Sequence, residues 1–173
     1  MKPVTTVGPA CRGAVWLAFA ILAVPAVALA DPPLRAGRVS FLSGSVSFRP
    51  TSADDWSAPT LNYPMTVGDH LWTNRNGRAE VQLGASVARL AASTSVSILN
   101  LDAQIAQLRM TQGSLAVSVR DLREDDVVEI DTPNAAVSLL RPGFYRVDVN
   151  EAGDATTVTV RDGGAEADRK SVV

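Results

Sequence analysis

The sequence predicts an all-β domain, built as an antiparallel meander, a sandwich-like fold or a short β-solenoid of about ten short strands. From Val39 onward, apolar residues occupy alternate positions, as in strands that bury one face and expose the other. Turn signals rich in Gly, Pro, Asn and Asp recur about every ten residues. No segment combines an apolar stripe of helical period with capping residues at both ends.

The individual strands are predicted from apolar side chains at every second position. Val39 and Phe41, the pair Ser43-Gly44, and then Val46 and Phe48 indicate a β-hairpin. The following strands are predicted at Ala79 to Leu83, Leu115 to Val119, Val128 to Ile130, Val137 to Leu139, Tyr145 to Val149, and Val158 to Val160.

Two alanine-containing segments are ambiguous between helix and strand. We interpret "ASVARLAASTSV" as strand because Thr94, Val96 and Ile98 favour β-structure. We also interpret "DAQIAQL" as strand, with "LRMTQG" leading into a turn, and leave open a single helical turn near Asp102.

Residues 1–30 have the features of a secretory signal peptide. Lys2 and Arg12 precede the apolar run "AVWLAFAILAVPAVALA", which ends in an Ala-x-Ala pattern that predicts cleavage after Ala30. The run contains a proline and is short for a membrane span, so an uncleaved N-terminal anchor is the less favoured alternative. We therefore expect a periplasmic or secreted protein with no membrane span after signal removal.

Charge and cysteine content restrict the partners of the mature chain. Removing residues 1–30 leaves 14 of the 16 basic residues and all 18 acidic ones, a formal net charge of −4. A net negative charge disfavours nucleic acid as a partner. The single cysteine, Cys11, lies inside the predicted signal, so the mature domain must be stabilised by an ordinary core and not by disulfides.

Five segments, in order, carry a family resemblance: "VGDHLWTNRNGRAEVQLG", "ARLAASTSVSI", "LRMTQGSLAVSVR", "VVEIDTPNAAVSLLRPGFYRVDV" and "TTVTVRDG". Together they span roughly residues 66 to 163 and resemble the FecR-type periplasmic domain. The opening "RVSFLSGSVSFRPTSADDW" resembles the secreted members with a longer N-terminal hairpin. The resemblance implies a β domain over residues 31–165, followed by a frayed polar tail at 166–173.

Two features depart from the family pattern. The usual Gly-Thr before the aromatic strand is replaced by Arg141-Pro142-Gly143. FecR regulators also begin with a cytoplasmic segment that binds a sigma factor, whereas here only about fifteen residues precede the apolar run. We therefore expect the β domain without the cytoplasmic regulator. The polar C-terminal residues leave open whether the chain ends in an unpaired edge or is the front module of a longer polypeptide.

The polar residues do not suggest catalysis. His70 is the single histidine and is interpreted as a surface or edge residue, because it lacks the partners that a catalytic imidazole requires. The acids 124–126 and the pair Asp54-Asp55 offer carboxylates that could bind calcium, but "DLREDDVV" lacks the glycine turn and alternate spacing of calcium loops, so a solvated loop is the favoured interpretation. Arg146 and Asp148 are expected to form an exposed ion pair. We predict no enzyme activity, no cofactor and no metal site.

Aromatic residues are the better candidates for binding. Trp56, Tyr63 and Trp72 lie in a proline-bearing segment, where they could stack on sugar rings or on a partner strand, although plugging the end of the core is the commoner role. Arg141 and Tyr145, near the altered turn, complete the candidate set. We expect a non-catalytic envelope module that binds or senses a periplasmic or envelope protein, with peptidoglycan binding as the alternative.

Overall fold

In the computed structural model, residues 36–169 are described, and all regular structure among them is β-strand. The 13 strands are β1 (Gly37–Ser43), β2 (Val46–Arg49), β3 (Pro64–Met65), β4 (His70–Thr73), β5 (Arg78–Leu83), β6 (Ser86–Leu90), β7 (Thr94–Leu101), β8 (Ile105–Val119), β9 (Val127–Asp131), β10 (Ala135–Leu139), β11 (Gly143–Val149), β12 (Thr156–Asp162) and β13 (Ala165–Arg169). The predicted all-β class is confirmed, with more strands than the alternation alone revealed.

The strands form one large curled sheet with two arms that share β8. Along the first arm the order is β3-β1-β5-β6-β8-β11-β12, and along the second it is β2-β4-β7-β8-β9-β10-β13. Neighbouring strands are antiparallel, except that β9 runs parallel to the first part of β8. The fold is therefore an antiparallel β-fold with one parallel pair.

Strand β8 passes from one arm to the other at Gly113. Residues 106–112 pair with β7 in the second arm, and residues 113–119 pair with β11 in the first. Gly113 has φ 98°, a conformation open to glycine and strained for other residues. The turn predicted after "LRMTQG" was therefore wrong: the chain bends at Gly113 while its ladder continues. In the "DAQIAQL" segment, residues 105–108 belong to β8, as predicted, whereas residues 102–104 form a bend before it.

The predicted hairpin at Ser43-Gly44 is instead a corner between the arms. Strand β1 pairs with β3 and β5, whereas β2 pairs with β4. Gly44 adopts φ 66°, which redirects the chain after β1. Both predicted strands exist. Alternation cannot distinguish a hairpin from a corner, because in both arrangements each strand buries one of its two faces.

A single hydrophobic core lies between the two arms. The first arm contributes residues such as Val81 and Leu115, and the second contributes residues such as Ile98 and Ile130, all at most 4% exposed. Phe41, predicted to face inward with Val39, is 49% exposed because the register shifts between these two residues. Such a bulge turns the following side chain to the opposite face of the sheet.

The C-terminal residues were predicted as a frayed polar tail from 166 onward. Ala165–Arg169 instead forms β13, which pairs along its length with β10. Backbone pairing explains the difference, because a strand at a sheet edge needs hydrogen-bonding groups and tolerates polar side chains. Residues 170–173 lie outside the described range.

The predicted signal peptide, residues 1–30, and its cleavage after Ala30 also lie outside the described residues. Within residues 36–169, no helix is long and apolar enough to span a membrane.

Substituting Gly113 is expected to destabilise the protein strongly. A Cβ at this position would lie 2.5 Å from the Ser93 carbonyl oxygen and 2.6 Å from the Thr94 Cα. We expect Gly113→Ala to lower the free energy of unfolding by about 2–4 kcal/mol, through the positive φ and the backbone clash. Gly164→Ala is the matched control, because its Cβ would meet only the Arg141 side chain, at 3.8 Å. Equal urea unfolding midpoints for the two variants would contradict this account.

Candidate binding surface around Trp56

Strands β2 and β4 lie at one end of the second arm, and their pairing determines which of their side chains face outward. Val46 and Phe48 are buried, so the alternating residues Ser47 and Arg49 face away from the core. Arg49 lies opposite His70 in the ladder, and Ser47 lies opposite Trp72. One arginine, one histidine and one tryptophan therefore share a small area of the outer face.

The loop after β2 brings Trp56 onto this area. Phe48 and Ser57 exchange two backbone hydrogen bonds, of 2.7 and 2.8 Å, which fold the loop back against β2. Trp56 is 48% exposed, and the guanidinium carbon of Arg49 lies 5.4 Å from its ring centroid. The imidazole of His70 approaches Trp56 edge-on, with ring centroids 6.5 Å apart. The distance between Arg49 and Trp56 is that of a cation–π pair.

A further cation extends the area across the sheet. His70 lies opposite Ser97 of β7, and Ser97 lies opposite Arg109 of β8. Ser97 is 7% exposed, whereas Arg109 is exposed. Strands lie about 4.8 Å apart, so the backbones of His70 and Arg109 are separated by about 10 Å. We call Arg49, Trp56, His70 and Arg109 the Trp56 surface.

The surroundings of His70 favour its neutral form. Partial burial lowers the pKa of its imidazole, and the positive charges of Arg49 and Arg109 lower it further. The Asp69 carboxylate raises it, but this group is 4% exposed and accepts hydrogen bonds from the backbone N–H groups of Thr51 and Thr66. At neutral pH the surface therefore carries two arginine charges and an uncharged imidazole.

Trp72 and Tyr63 have structural contacts of their own. The indole N–H of Trp72 donates to Asn74 Oδ1 at 2.9 Å, and the Asn74 amide donates to Ser45 Oγ at 2.7 Å. Tyr63 is 37% exposed and packs against the buried ring of Phe48, with centroids 4.6 Å apart. Trp72 is thus near His70 but anchors the corner after β1, and Tyr63 covers the core side of β2.

Of the other two candidates, Arg141 lies in the turn that precedes β11, and Tyr145 lies within β11. Tyr145 is fully buried, and its hydroxyl donates to the Arg141 carbonyl at 2.5 Å and accepts from the Gly164 N–H at 3.0 Å. These bonds connect the turn before β11 with the turn after β12. Arg141 remains exposed, but the burial of Tyr145 removes it from any surface-binding set.

The charged side chains of β11 include an ion pair. The predicted pair Arg146 and Asp148 forms along the outer face of β11, with Nη2 and Oδ1 2.8 Å apart. The hydrogen bond from Arg146 holds the pKa of the Asp148 carboxyl below its ordinary value. Within residues 36–169, no group of three or more His, Cys, Asp or Glu side chains could hold a metal ion.

Sequence reasoning did not identify Arg49 and Arg109 as members of a site. They are 60 positions apart and belong to no recognisable motif. Strand register alone places them on either side of His70, so no local pattern could have revealed them.

A second candidate surface is the free edge of β12. Within residues 36–169, β12 pairs with β11 alone. Its first five residues, 156–160, are all threonine or valine. The other edges are protected, since β2 is bridged by Ser57, β3 has two residues, and β13 carries charges at Glu166, Asp168 and Arg169.

The hairpin between β11 and β12 defines which backbone groups of β12 face outward. Asn150 N–H donates to the Ala155 carbonyl at 3.2 Å, so Asn150 and Ala155 stand at a hydrogen-bonded position of the ladder, with the Ala155 N–H donating to the Asn150 side chain. Such positions alternate along an antiparallel ladder, so Thr157 and Thr159 bond to β11. The N–H and C=O groups of Val158 and Val160 therefore point toward the open edge.

Comparison with known proteins gives one informative match. A family model described as "FecR protein" matches residues 69–166, which is more than half of the chain and runs from β4 into the start of β13. No curated protein and no solved structure matches the chain.

The Tyr145 hydroxyl is expected to contribute measurably to stability. Tyr145→Phe leaves the Gly164 N–H and the Arg141 carbonyl without their partner, and we expect a loss of about 1–3 kcal/mol. Tyr63→Phe is the matched control because its ring is partly exposed, and we expect a change within about 0.5 kcal/mol. Thermal and urea unfolding measure both variants, and an unchanged Tyr145→Phe protein would contradict the role of the hydroxyl.

Proposed function

Because the chain belongs to the FecR family, we propose that it is an exported, non-catalytic envelope module that binds a periplasmic or envelope protein by strand addition at β12. FecR domains are periplasmic, and the family is regulatory and not typically enzymatic. Export is supported by the signal-peptide pattern of residues 1–30.

The free edge of β12 is the single observation that carries this proposal. The strand has seven residues, and charge occurs only at its last two positions, Arg161 and Asp162. Natural proteins protect long edge strands with lysine, proline, bulges or covering loops. The part of β12 from Thr156 to Val160 contains neither lysine nor proline, and within residues 36–169 it pairs with no strand besides β11. The register shift of this pair lies at the end of that part, after Val160, so the preceding residues form a regular open edge that a partner strand could use.

Strand addition would use the backbone groups of β12 directly. An extended partner segment would bond to the outward N–H and C=O groups of Val158 and Val160, and its alternate side chains would supply specificity. Val160 is 42% exposed although its side chain is on the core side of the sheet, opposite Tyr145. An added strand would cover this valine, so apolar burial would accompany the backbone bonds.

Val160→Pro tests the edge without removing the bonds of β12 to β11. Proline deletes the outward N–H and is tolerated on edge strands, so the fold should persist. Val160→Ala is the matched control, because it keeps the N–H and loses only side-chain contacts. The readout is capture of envelope proteins by a photo-crosslinker at Thr159, together with hydrogen exchange of β12 in the captured complex.

We expect Val160→Pro to reduce capture at least about threefold relative to Val160→Ala, the effect of one lost backbone hydrogen bond. In the complex, the amides of β12 should become protected. Equal capture by the two variants, or no added protection of β12, would contradict strand addition at this edge.

A second candidate function is binding of cell-wall glycan at the Trp56 surface. Its supporting observation is the indole of Trp56, 48% exposed and held by Arg49 on the outer face. Aromatic faces of this kind stack on the apolar faces of sugar rings. This surface and the β12 edge lie at opposite ends of the strand order, in different arms.

Trp56→Ala tests glycan binding. We expect retention on purified peptidoglycan to fall about threefold to tenfold, in line with the loss of one aromatic stacking contact. Phe41→Ala is the matched control, since Phe41 is a similarly exposed aromatic, at 49%, in the first arm. Equal retention of both variants in a sedimentation assay would exclude the Trp56 surface as the glycan site.

A further inference from the structure

We propose that the Trp56 surface selects acidic saccharides, with the sugar ring on Trp56 and the carboxylate beside His70 between Arg49 and Arg109. This inference rests on the glycan-binding function proposed above and names the ligand class of that site.

Two arginines, Arg49 and Arg109, contribute positive charge to the Trp56 surface. The ion pairs between Arg89 and Glu80 and between Arg146 and Asp148 involve neither Arg49 nor Arg109. The carboxylate adjacent in sequence to His70, that of Asp69, is occupied by the backbone of the neighbouring loops. A chain of formal net charge −2 thus presents a local pair of cations to solvent.

The positions of the two arginines define where an anion would lie. Arg49 and Arg109 flank His70 along one row of the ladder, with the small side chain of Ser97 between His70 and Arg109. A carboxylate above Ser97 would approach both the imidazole and the Arg109 guanidinium, which can bind it through two N–H groups. On the far side of Arg109, Asp131 of β9 lies opposite in register and ends the basic area.

The exposed indole of Trp56 is the reason for proposing a ligand that contains a ring. Its indole is adjacent to the cations, with Arg49 5.4 Å from the ring centroid and His70 6.5 Å from it. A ligand with an apolar ring face and a carboxylate would contact the indole and the cations together. A simple inorganic anion would use the cations alone, and a neutral sugar would use the indole alone.

Binding of an acidic ligand would change the pKa of the His70 imidazole, so this residue can be used to detect binding. Burial and the two arginines lower the pKa of its imidazole in the free protein, while the Asp69 carboxylate opposes them. A bound carboxylate would stabilise the imidazolium and raise that pKa. By linkage, an anionic ligand would bind more tightly as the pH falls and His70 becomes protonated. The chain has one histidine, so the imidazole NMR signal is unambiguous.

The experiment compares two matched probes on the purified protein. One is a short galacturonic acid oligomer, and the other is its fully methyl-esterified form, which keeps the rings and removes the charges. Calorimetry gives affinity at about pH 5 and about pH 8, the range over which histidine titrates. NMR follows the His70 imidazole with and without each probe.

We expect the galacturonic acid oligomer to bind at least about threefold more tightly than its ester. We also expect the acid to bind about threefold more tightly at about pH 5 than at about pH 8. Each factor corresponds to one added charge–charge contact at a surface site. His70→Asn should remove the pH dependence, and Arg109→Gln should reduce the preference for the acid. Arg120→Gln, an exposed arginine beyond the end of β8, should change neither. Unfolding midpoints confirm that each variant is folded.

Three outcomes would overturn the inference. Equal binding of acid and ester, weakened by Trp56→Ala, would retain glycan binding and reject selectivity for acids. Binding of neither probe, together with unchanged retention of Trp56→Ala on peptidoglycan, would reject the glycan function as well. Binding that does not move the His70 signal would place the ligand elsewhere.

Discussion

The passage of β8 between the two arms is the constraint on which the rest of the structure depends. One continuous strand of 15 residues pairs in its first part with β7 and β9 and in its last part with β6 and β11. Gly113 makes this possible because it bends the chain without a break in the ladder. Any side chain here would press on the backbone of Ser93 and Thr94. Both arms thereby enclose one core, and each exposes a separate outer face.

That arrangement also limits where function can lie. Inward-facing positions of the central strands are buried in the core, so recognition falls to the outer faces and to the sheet edges. The Trp56 surface belongs to an outer face, and its members come from β2, β4, β8 and a loop. The β12 edge offers backbone groups instead of side chains. A binding module can use both, because the two surfaces involve different parts of the sheet.

The turn before β11 is held by backbone groups and not by the side chain of Arg141. The Tyr145 hydroxyl contacts the carbonyl of Arg141 and the N–H of Gly164, which are backbone groups. Any residue at 141 supplies that carbonyl, so arginine is tolerated there and its side chain remains exposed. Gly143 is less replaceable, because a Cβ would collide with the backbone of Asp162 and Gly163.

By itself the sequence determined the all-β class, most of the strands and the family resemblance, since alternation, turn residues and motif order are local properties. It also predicted the Arg146–Asp148 pair, which needs only two positions on one strand. Only the tertiary structure decided that the β1–β2 hairpin is a corner, that 165–169 is a strand, and that the Tyr145 hydroxyl joins the turns before β11 and after β12. The tertiary structure also decided that Arg49, His70 and Arg109 lie in one row across the sheet. Each of these depends on which strands are neighbours and in what register, and long-range pairing leaves no signature in local spacing.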